Sequence, residues 1–184
     1  MPHNFVFNAV YVLPFAQDAA GLKGALAKGW QVSGIATMSS GIPFHPRVGF
    51  DRAGDRQSDT DQQRPDWAAG RDPSNAITGR VDEWFDPTAF TLPAVGTFGN
   101  VRRNVLRGPE LRVVDFSTFK NQQVGKTTVQ FRVEVFNLFN RANFQPPSNP
   151  SLFNSDGTRV PGSGRITALA TPARQVQLGL KFLF

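Results

Sequence analysis

Five stretches of the chain alternate apolar and polar residues with the period of two that marks a strand with one face in an apolar medium. Residues 127–137 show it most plainly: Val129, Phe131, Val133 and Val135 alternate with Gln130, Arg132 and Glu134. Residues 174–184 repeat it, with Val176, Leu178, Leu180, Phe182 and Phe184 on one face and Gln175, Gln177, Gly179 and Lys181 on the other; Leu183 alone breaks the pattern. Residues 111–122 set Val114, Phe116 and Thr118 against Asp115 and Ser117, and a short turn at residues 123–126 leads into the next strand. Residues 29–39 set Val32, Gly34, Ala36 and Met38 against Gln31, Ser33, Ile35, Thr37 and Ser39. Residues 5–13 are β-branched and aromatic, with Asn8 as their strongly polar member, and Pro14 stops them. Each stretch has roughly the nine to eleven residues that a tilted strand needs to cross a bilayer.

The connections carry as much information as the strands. Residues 14–28 permit a short helical turn at 22–27, and the second strand has an irregular continuation toward Phe44, where Pro43 and Pro46 mark a rim. Residues 47–109 and 140–173 hold no sustained alternation and are loaded with Gly, Pro, Asn and Asp. Unstructured loops of that length are uncommon in a compact soluble domain. Outer-membrane barrels, in contrast, place long loops outside and short turns at the periplasmic side. Counted backwards from Phe184 the connections run long, short, long, medium, which sets Phe184 at the periplasmic end. The expected fold is therefore all-β: about five antiparallel strands forming the C-terminal part of a transmembrane β-barrel, one partial barrel domain over residues 1–184 with extracellular loops at 47–109 and 140–173.

Composition agrees. There are 17 Phe against 3 Trp and 1 Tyr, and 17 Gly and 14 Pro punctuate the chain, a mixture that favours strands and turns over helices. No apolar run is long enough for a membrane helix, and the mean hydropathy of -0.28 is that of a soluble protein, yet alternating barrel strands evade this test. The net charge of +6 comes from scattered Lys and Arg, never a basic run, so no nucleic-acid partner is expected. A soluble basic β-sandwich with an acidic partner is the reading from outside the membrane class.

The absence of cysteine excludes disulfides, thiolate metal sites and thiol nucleophiles. His3 and His45 are the two histidines and neither lies in a catalytic motif, so no enzymatic activity, catalytic residue or cofactor is expected. His45, in a proline-rich rim, reads as a solvated loop residue. Residues 51–61 interleave Asp with Arg; this fails the spacing of a calcium loop and reads as a solvated loop with no metal. Trp67 and Trp84 fall in the long loop, where ligand capture and packing are both open. Tyr11, Trp30 and Phe182 fit an interfacial aromatic girdle. Arg132, Glu134 and Lys181 are the expected lumen-facing charges, a structural ladder rather than a substrate contact. Residues Met1 to Phe5 lack the basic and apolar regions of a signal peptide, from which the chain is expected to begin partway through a longer one.

The terminal residues Val176, Leu178, Leu180, Phe182 and Phe184 resemble the insertion signal that the barrel-assembly machinery reads in bacterial outer-membrane proteins. A wider set of stretches is similar to the TonB-dependent receptors, especially the Oar-like members with a carboxypeptidase-regulatory-like domain. They are Gly29-Trp30-Gln31-Val32-Ser33-Gly34-Ile35, Trp84-Phe85-Asp86-Pro87-Thr88-Ala89-Phe90, Gly96-Thr97-Phe98-Gly99-Asn100 and Leu106-Arg107-Gly108-Pro109. Further along come Asp115-Phe116-Ser117, Phe119-Lys120-Asn121, the run from Phe131 through Asn137-Leu138-Phe139-Asn140-Arg141-Ala142-Asn143 to Phe144, and Gly164-Arg165-Ile166-Thr167. The resemblance implies an outer-membrane location, contact with lipid, assembly by the barrel machinery, and TonB-coupled import of an unidentified substrate. It also implies a plug domain, a TonB box and a larger closed barrel, none of which these strands supply, so the chain is expected not to transport alone. The alternative is a surface adhesion or structural barrel without import.

Overall fold

A computed structural model of the 184-residue chain describes residues 3–15, 18, 21–55 and 63–184. The chain divides into two compact units, one built from residues 2–39, 111–143 and 171–184 and the other from residues 40–110 and 144–170.

The first unit is an antiparallel sheet of five strands: β1 (Asn4–Val12), β2 (Trp30–Ser39), β7 (Leu111–Val124), β8 (Thr127–Phe136) and β9 (Gln175–Leu183), side by side in that order. These are the five alternating stretches, with ends displaced by one or two residues. The helical turn expected at 22–27 is α1 (Gly21–Ala27). A two-residue turn joins β7 to β8, where Val124 pairs with Thr127; Gly125 takes φ +61, the conformation such hairpin turns require at their first central position.

The register lines the alternating residues up across all five strands. One apolar row runs Ala9–Gly34–Phe116–Val135–Val176, and its neighbour runs Tyr11–Val32–Thr118–Val133–Leu178. Phe131 then faces Leu180, and Val129 faces Phe182. A shift of one residue in any strand would turn its apolar set to the other face, so this agreement across four pairings is what specifies the register. Among the described residues no second sheet packs on the apolar face: Phe7 is 55% exposed, Leu178 67% and Leu180 60%. A β-sandwich would bury these side chains against a facing sheet, which removes the soluble-sandwich reading. β1 and β9 are the two edges, each paired on one side, so the sheet is open.

Around the end of β8 the sheet is tied by asparagines. Asn137, at φ +51, donates from its side chain to the Arg141 and Pro172 carbonyls and accepts from the Arg141 N–H, while its own N–H donates to Asp115. Asn143, almost wholly buried, accepts from the Arg112 N–H at 2.8 Å and donates to the Thr171 hydroxyl. Asn143→Ala should lower stability by about 1–3 kcal/mol, because the buried Asn143 amide ties the Arg112 N–H to Thr171 and both bonds are lost. Asn143→Asp, which keeps the acceptor, should lose less; urea unfolding of the two variants beside the parent checks the order.

The second unit turns the two long connections into a folded body. Short pairings β3 (Pro43–Phe44) with β6 (Leu106–Arg107), and β4 (Asp66–Trp67) with β5 (Phe90–Thr91), frame a core of Phe85, Ala89, Phe90, Val101, Leu106, Leu152 and Phe153. Pro43–Phe44, anticipated as an irregular continuation of the second strand, instead pairs with Leu106–Arg107. A four-residue helix α2 (Pro73–Ala76) is capped by Asp72, and Asn75 completes the capping box.

Candidate functional site

The sheet has two chemically distinct faces, and all its long connections depart from one end. Ser39 pairs with Leu111 and Phe136 pairs with Gln175, so the chain leaves the sheet and re-enters it at that end, whereas the Gly125 turn, α1 and Phe184 lie at the other. Tyr11, Trp30 and Phe182 all sit toward the Phe184 end. There Trp30 donates from its indole to the Leu26 carbonyl at 2.8 Å, and the Lys120 ammonium lies over its ring at 5.6 Å while donating to the Lys28 carbonyl. Lys120 stands on the apolar face toward one end, as Arg112 does toward the other; its long stem lets the charge reach polar backbone at the sheet end, as a lysine at a membrane boundary does.

Arg132, Glu134 and Lys181 all stand on the opposite face, where two of them pair and Lys181 lies apart on the edge strand. Arg132 and Glu134 bridge along β8 at 3.5 Å, and the Arg132 guanidinium stacks on Phe119 at 4.8 Å. Across the next pairing Arg132 faces Gly179, whose missing side chain leaves room for the arginine stem, and Lys181 faces Gln130. Gln130 in turn donates to Asn121 at 2.8 Å. The face is thus a lattice of hydrogen-bonding side chains, with no metal-ligating cluster among the described residues. Val176, Leu178, Leu180 and Phe182 fall on the apolar side of the edge strand, which their alternation required, and Phe184 follows the end of β9.

In the second unit several loop residues have structural work that the alternation did not reveal. Trp67 packs on Phe90 with ring centroids 4.8 Å apart, and Trp84 donates from its indole to the Arg107 carbonyl at 2.7 Å, so both tryptophans are packing residues. Asp86 pairs with Arg71 and accepts from the N–H and hydroxyl of Thr88; burial raises its pKa, but these partners outweigh burial and hold it below the usual carboxylate value. Arg159 donates to the carbonyls of Pro87 and Phe90, joining residues far apart in sequence. In the Asp-rich stretch Gln63 takes a central position: it accepts from the N–H groups of Arg52 and Ala53 and donates to Asp51 and Asp55. Residues 56–62, which hold the rest of that stretch, lie outside the described residues. His45 is not the solvated loop residue expected from its surroundings. It is half-buried, with one ring nitrogen accepting from the Asn104 N–H and the other buried without a hydrogen-bond partner among the described residues.

A further pattern emerges from these ties. Gly29, at φ +74, passes so close to Asn121 that a Cβ would lie 2.5 Å from its carbonyl oxygen, and Asn121 donates back to the Gly29 carbonyl. Thus Gly29-Trp30 meets Phe119-Lys120-Asn121. Trp84 donates from its N–H to Gly164 and from its indole to Arg107, bringing together three more of the quoted stretches. Asp115 meets Asn137 in the same way. The segments that carried the resemblance are to a large extent one another's partners.

The family model described as outer membrane beta barrel domain matches residues 1–177. No curated protein and no solved structure matches the chain.

Proposed function

The chain belongs to the outer membrane beta barrel domain family and resides in the outer membrane; on that premise we propose that it forms the C-terminal wall and outer loops of a TonB-dependent receptor of the Oar-like kind, which imports an unidentified substrate. The observation that carries this reading is the mutual contact of the receptor-like stretches: Gly29-Trp30 with Asn121, Trp84 with Gly164 and Arg107, Asp115 with Asn137. In this reading the apolar face of Phe7, Phe116, Val133 and Leu180 contacts lipid, and Arg132, Glu134 and Lys181 face the lumen. Phe184 lies at the periplasmic end and, with the alternating residues before it, is read by the barrel-assembly machinery.

Transport requires more wall than this sheet provides. Strands at both edges expose unpaired N–H and C=O groups, each costing several kcal/mol in hydrocarbon, so further strands must complete a closed barrel. No catalytic step and no cofactor enters the mechanism: the lumen face supplies hydrogen bonds and charge, while energy would come from TonB through a plug domain.

The test is made on the whole protein in its native envelope. The reading frame upstream of Met1 is expected to encode a plug domain and TonB box, and site-specific photo-crosslinking from that box is expected to capture the TonB periplasmic domain. An outer-membrane protein with neither a plug nor a crosslink would overturn import and support the adhesion or structural barrel instead.

A further inference from the structure

We infer that the Phe184 end of the first unit binds anionic phospholipid headgroups of the periplasmic leaflet, with α1 lying in the membrane interface, its leucines toward the acyl chains and the surrounding lysines toward the phosphates. The inference rests on the orientation proposed above, with the Phe184 end periplasmic, and not on import.

α1 is turned the wrong way round for a helix that packs only on its own protein. Gly24 is its buried residue, and Gly24, Ala25 and Lys28 line a cleft with residues 121–123 of β7. Leu22 and Leu26, four apart and so on one helix face, are 77% and 63% exposed. A helix with its small side chains inward and both its leucines outward leaves its apolar face to be met by another apolar medium.

The contacts at the end of the helix point to lipid as that medium. Trp30 and Lys120 stand in one row with Phe131 and Leu180, on the lipid-facing side of the sheet. The Trp30 indole donates to the Leu26 carbonyl, and the Lys120 ammonium, over the Trp30 ring, donates to the Lys28 carbonyl. The helix end is thereby fastened to the side of the wall that meets the bilayer, and its exposed leucines continue the apolar face where an aromatic belt and a lysine mark the boundary.

Charge selects the headgroup. All five lysines of the chain, Lys23, Lys28, Lys120, Lys126 and Lys181, fall at this end. Residues 11–31, 118–133 and 178–184, which make it up, hold Asp18 as their one acidic residue. Lys181 stands on the polar face, but Lys23 and Lys28 flank the leucines on α1 and Lys126 is exposed in the turn beside them. Lysine is a compact charge on a long stem, suited to reaching a phosphate from backbone at the margin of the apolar layer. A positive excess beside a membrane attracts anionic headgroups and adds nothing to the hold on zwitterionic ones.

The whole protein is reconstituted in vesicles of equal parts phosphatidylethanolamine and phosphatidylglycerol, with p-benzoylphenylalanine in place of Leu26 or, as the reference, of Leu178 on the open lipid face. After illumination, the lipids joined to each position are identified by mass. Leu178 should capture the two lipids in the proportion of the vesicle, and Leu26 should capture lipid with phosphatidylglycerol favoured about fivefold, the factor that one lysine contributes at an anionic surface. Lys23→Gln with Lys28→Gln should return Leu26 to the proportion found at Leu178, whereas Lys23→Arg with Lys28→Arg should keep the preference. Should the glutamine pair misfold, the comparison of the two positions in the parent still decides. Lipid at Leu178 with none at Leu26, or equal proportions at both, overturns the interfacial site and leaves the lipid face of the barrel standing. In native outer membranes Leu26 should capture phospholipid; capture of lipopolysaccharide instead would put the Phe184 end outside and overturn the orientation together with the inference.

Discussion

Leu180→Arg in the intact outer-membrane protein should sharply reduce the amount of folded barrel recovered from the outer membrane. Leu180 lies on the apolar face of β9, opposite Phe131 and between the rows of Leu178 and Phe182, and it is 60% exposed because no protein layer covers that face. A guanidinium near the middle of a lipid-facing strand costs about 2–4 kcal/mol. The same strand contributes to the terminal pattern from Val176 to Phe184, so the charge also disturbs the residues proposed to be read during assembly. Gln177→Arg is the control: Gln177 faces Glu134 on the polar side, where a guanidinium gains a partner. Heat-modifiable migration of the outer-membrane fraction on gels separates the two. Equal recovery of Leu180→Arg and Gln177→Arg would show that the two faces are not lipid and lumen.

Phe85→Ala should unfold most of the second unit. Its ring is fully buried, packs edge-on against Phe90 with centroids 5.9 Å apart, and lies 5.8 Å from Phe44. Gly164 is seated against the same ring: at φ +84, a Cβ there would lie 3.2 Å from two ring atoms, so backbone and side chain are fitted together. Truncating a buried phenylalanine costs about 3–5 kcal/mol, and a small core framed by two-residue pairings has few other contacts to absorb the loss. The exposed Phe98 gives the comparison; its replacement by alanine should stay within about 0.5 kcal/mol of the parent. Limited proteolysis should cut Phe85→Ala rapidly within residues 40–110 while the strands of the sheet resist. Parent-like resistance in that segment would mean that Phe85 is not central to its stability.

These two expectations differ in how far they were legible beforehand. The alternation at Leu180 is a local property: successive side chains on a strand point to opposite faces, so Gln-Val-Gln-Leu-Gly-Leu-Lys-Phe declares its two environments wherever its neighbours lie. The short β7–β8 turn is equally local, since Gly125 supplies its unusual backbone angle. Phe85 is another matter. It sits among Trp, Asp and Pro in a stretch with no period, and its burial depends on Gly164 and Phe44 arriving from distant parts of the chain to join the nearby Phe90.

The asparagines fall between these cases. Asn137, Asn140 and Asn143 stood out only as part of a resembling run; Asn137 and Asn140 take φ +51, a left-handed conformation that asparagine tolerates. Which groups they would tie could not be read, because the partners Asp115, Thr171, Pro172 and Arg174 belong to other strands and connections. His45 shows the same limit more strongly. Its flanking prolines suggested solvent, and only the approach of Asn104 and of residues 147–150 makes it half-buried.

By itself, the order of residues determined the five strands, the two faces of each, the position of the short turn and the uneven lengths of the connections, because all of these depend on side-chain alternation and backbone preference within a few residues. Tertiary structure alone decided that residues 40–110 and 144–170 share one core, that Arg132 rests on Phe119 across a strand, and that His45 lines a cleft with Asn104 and residues 147–150. Those features are made by pairs distant in the chain, and a pattern of near neighbours carries no record of which distant groups will meet.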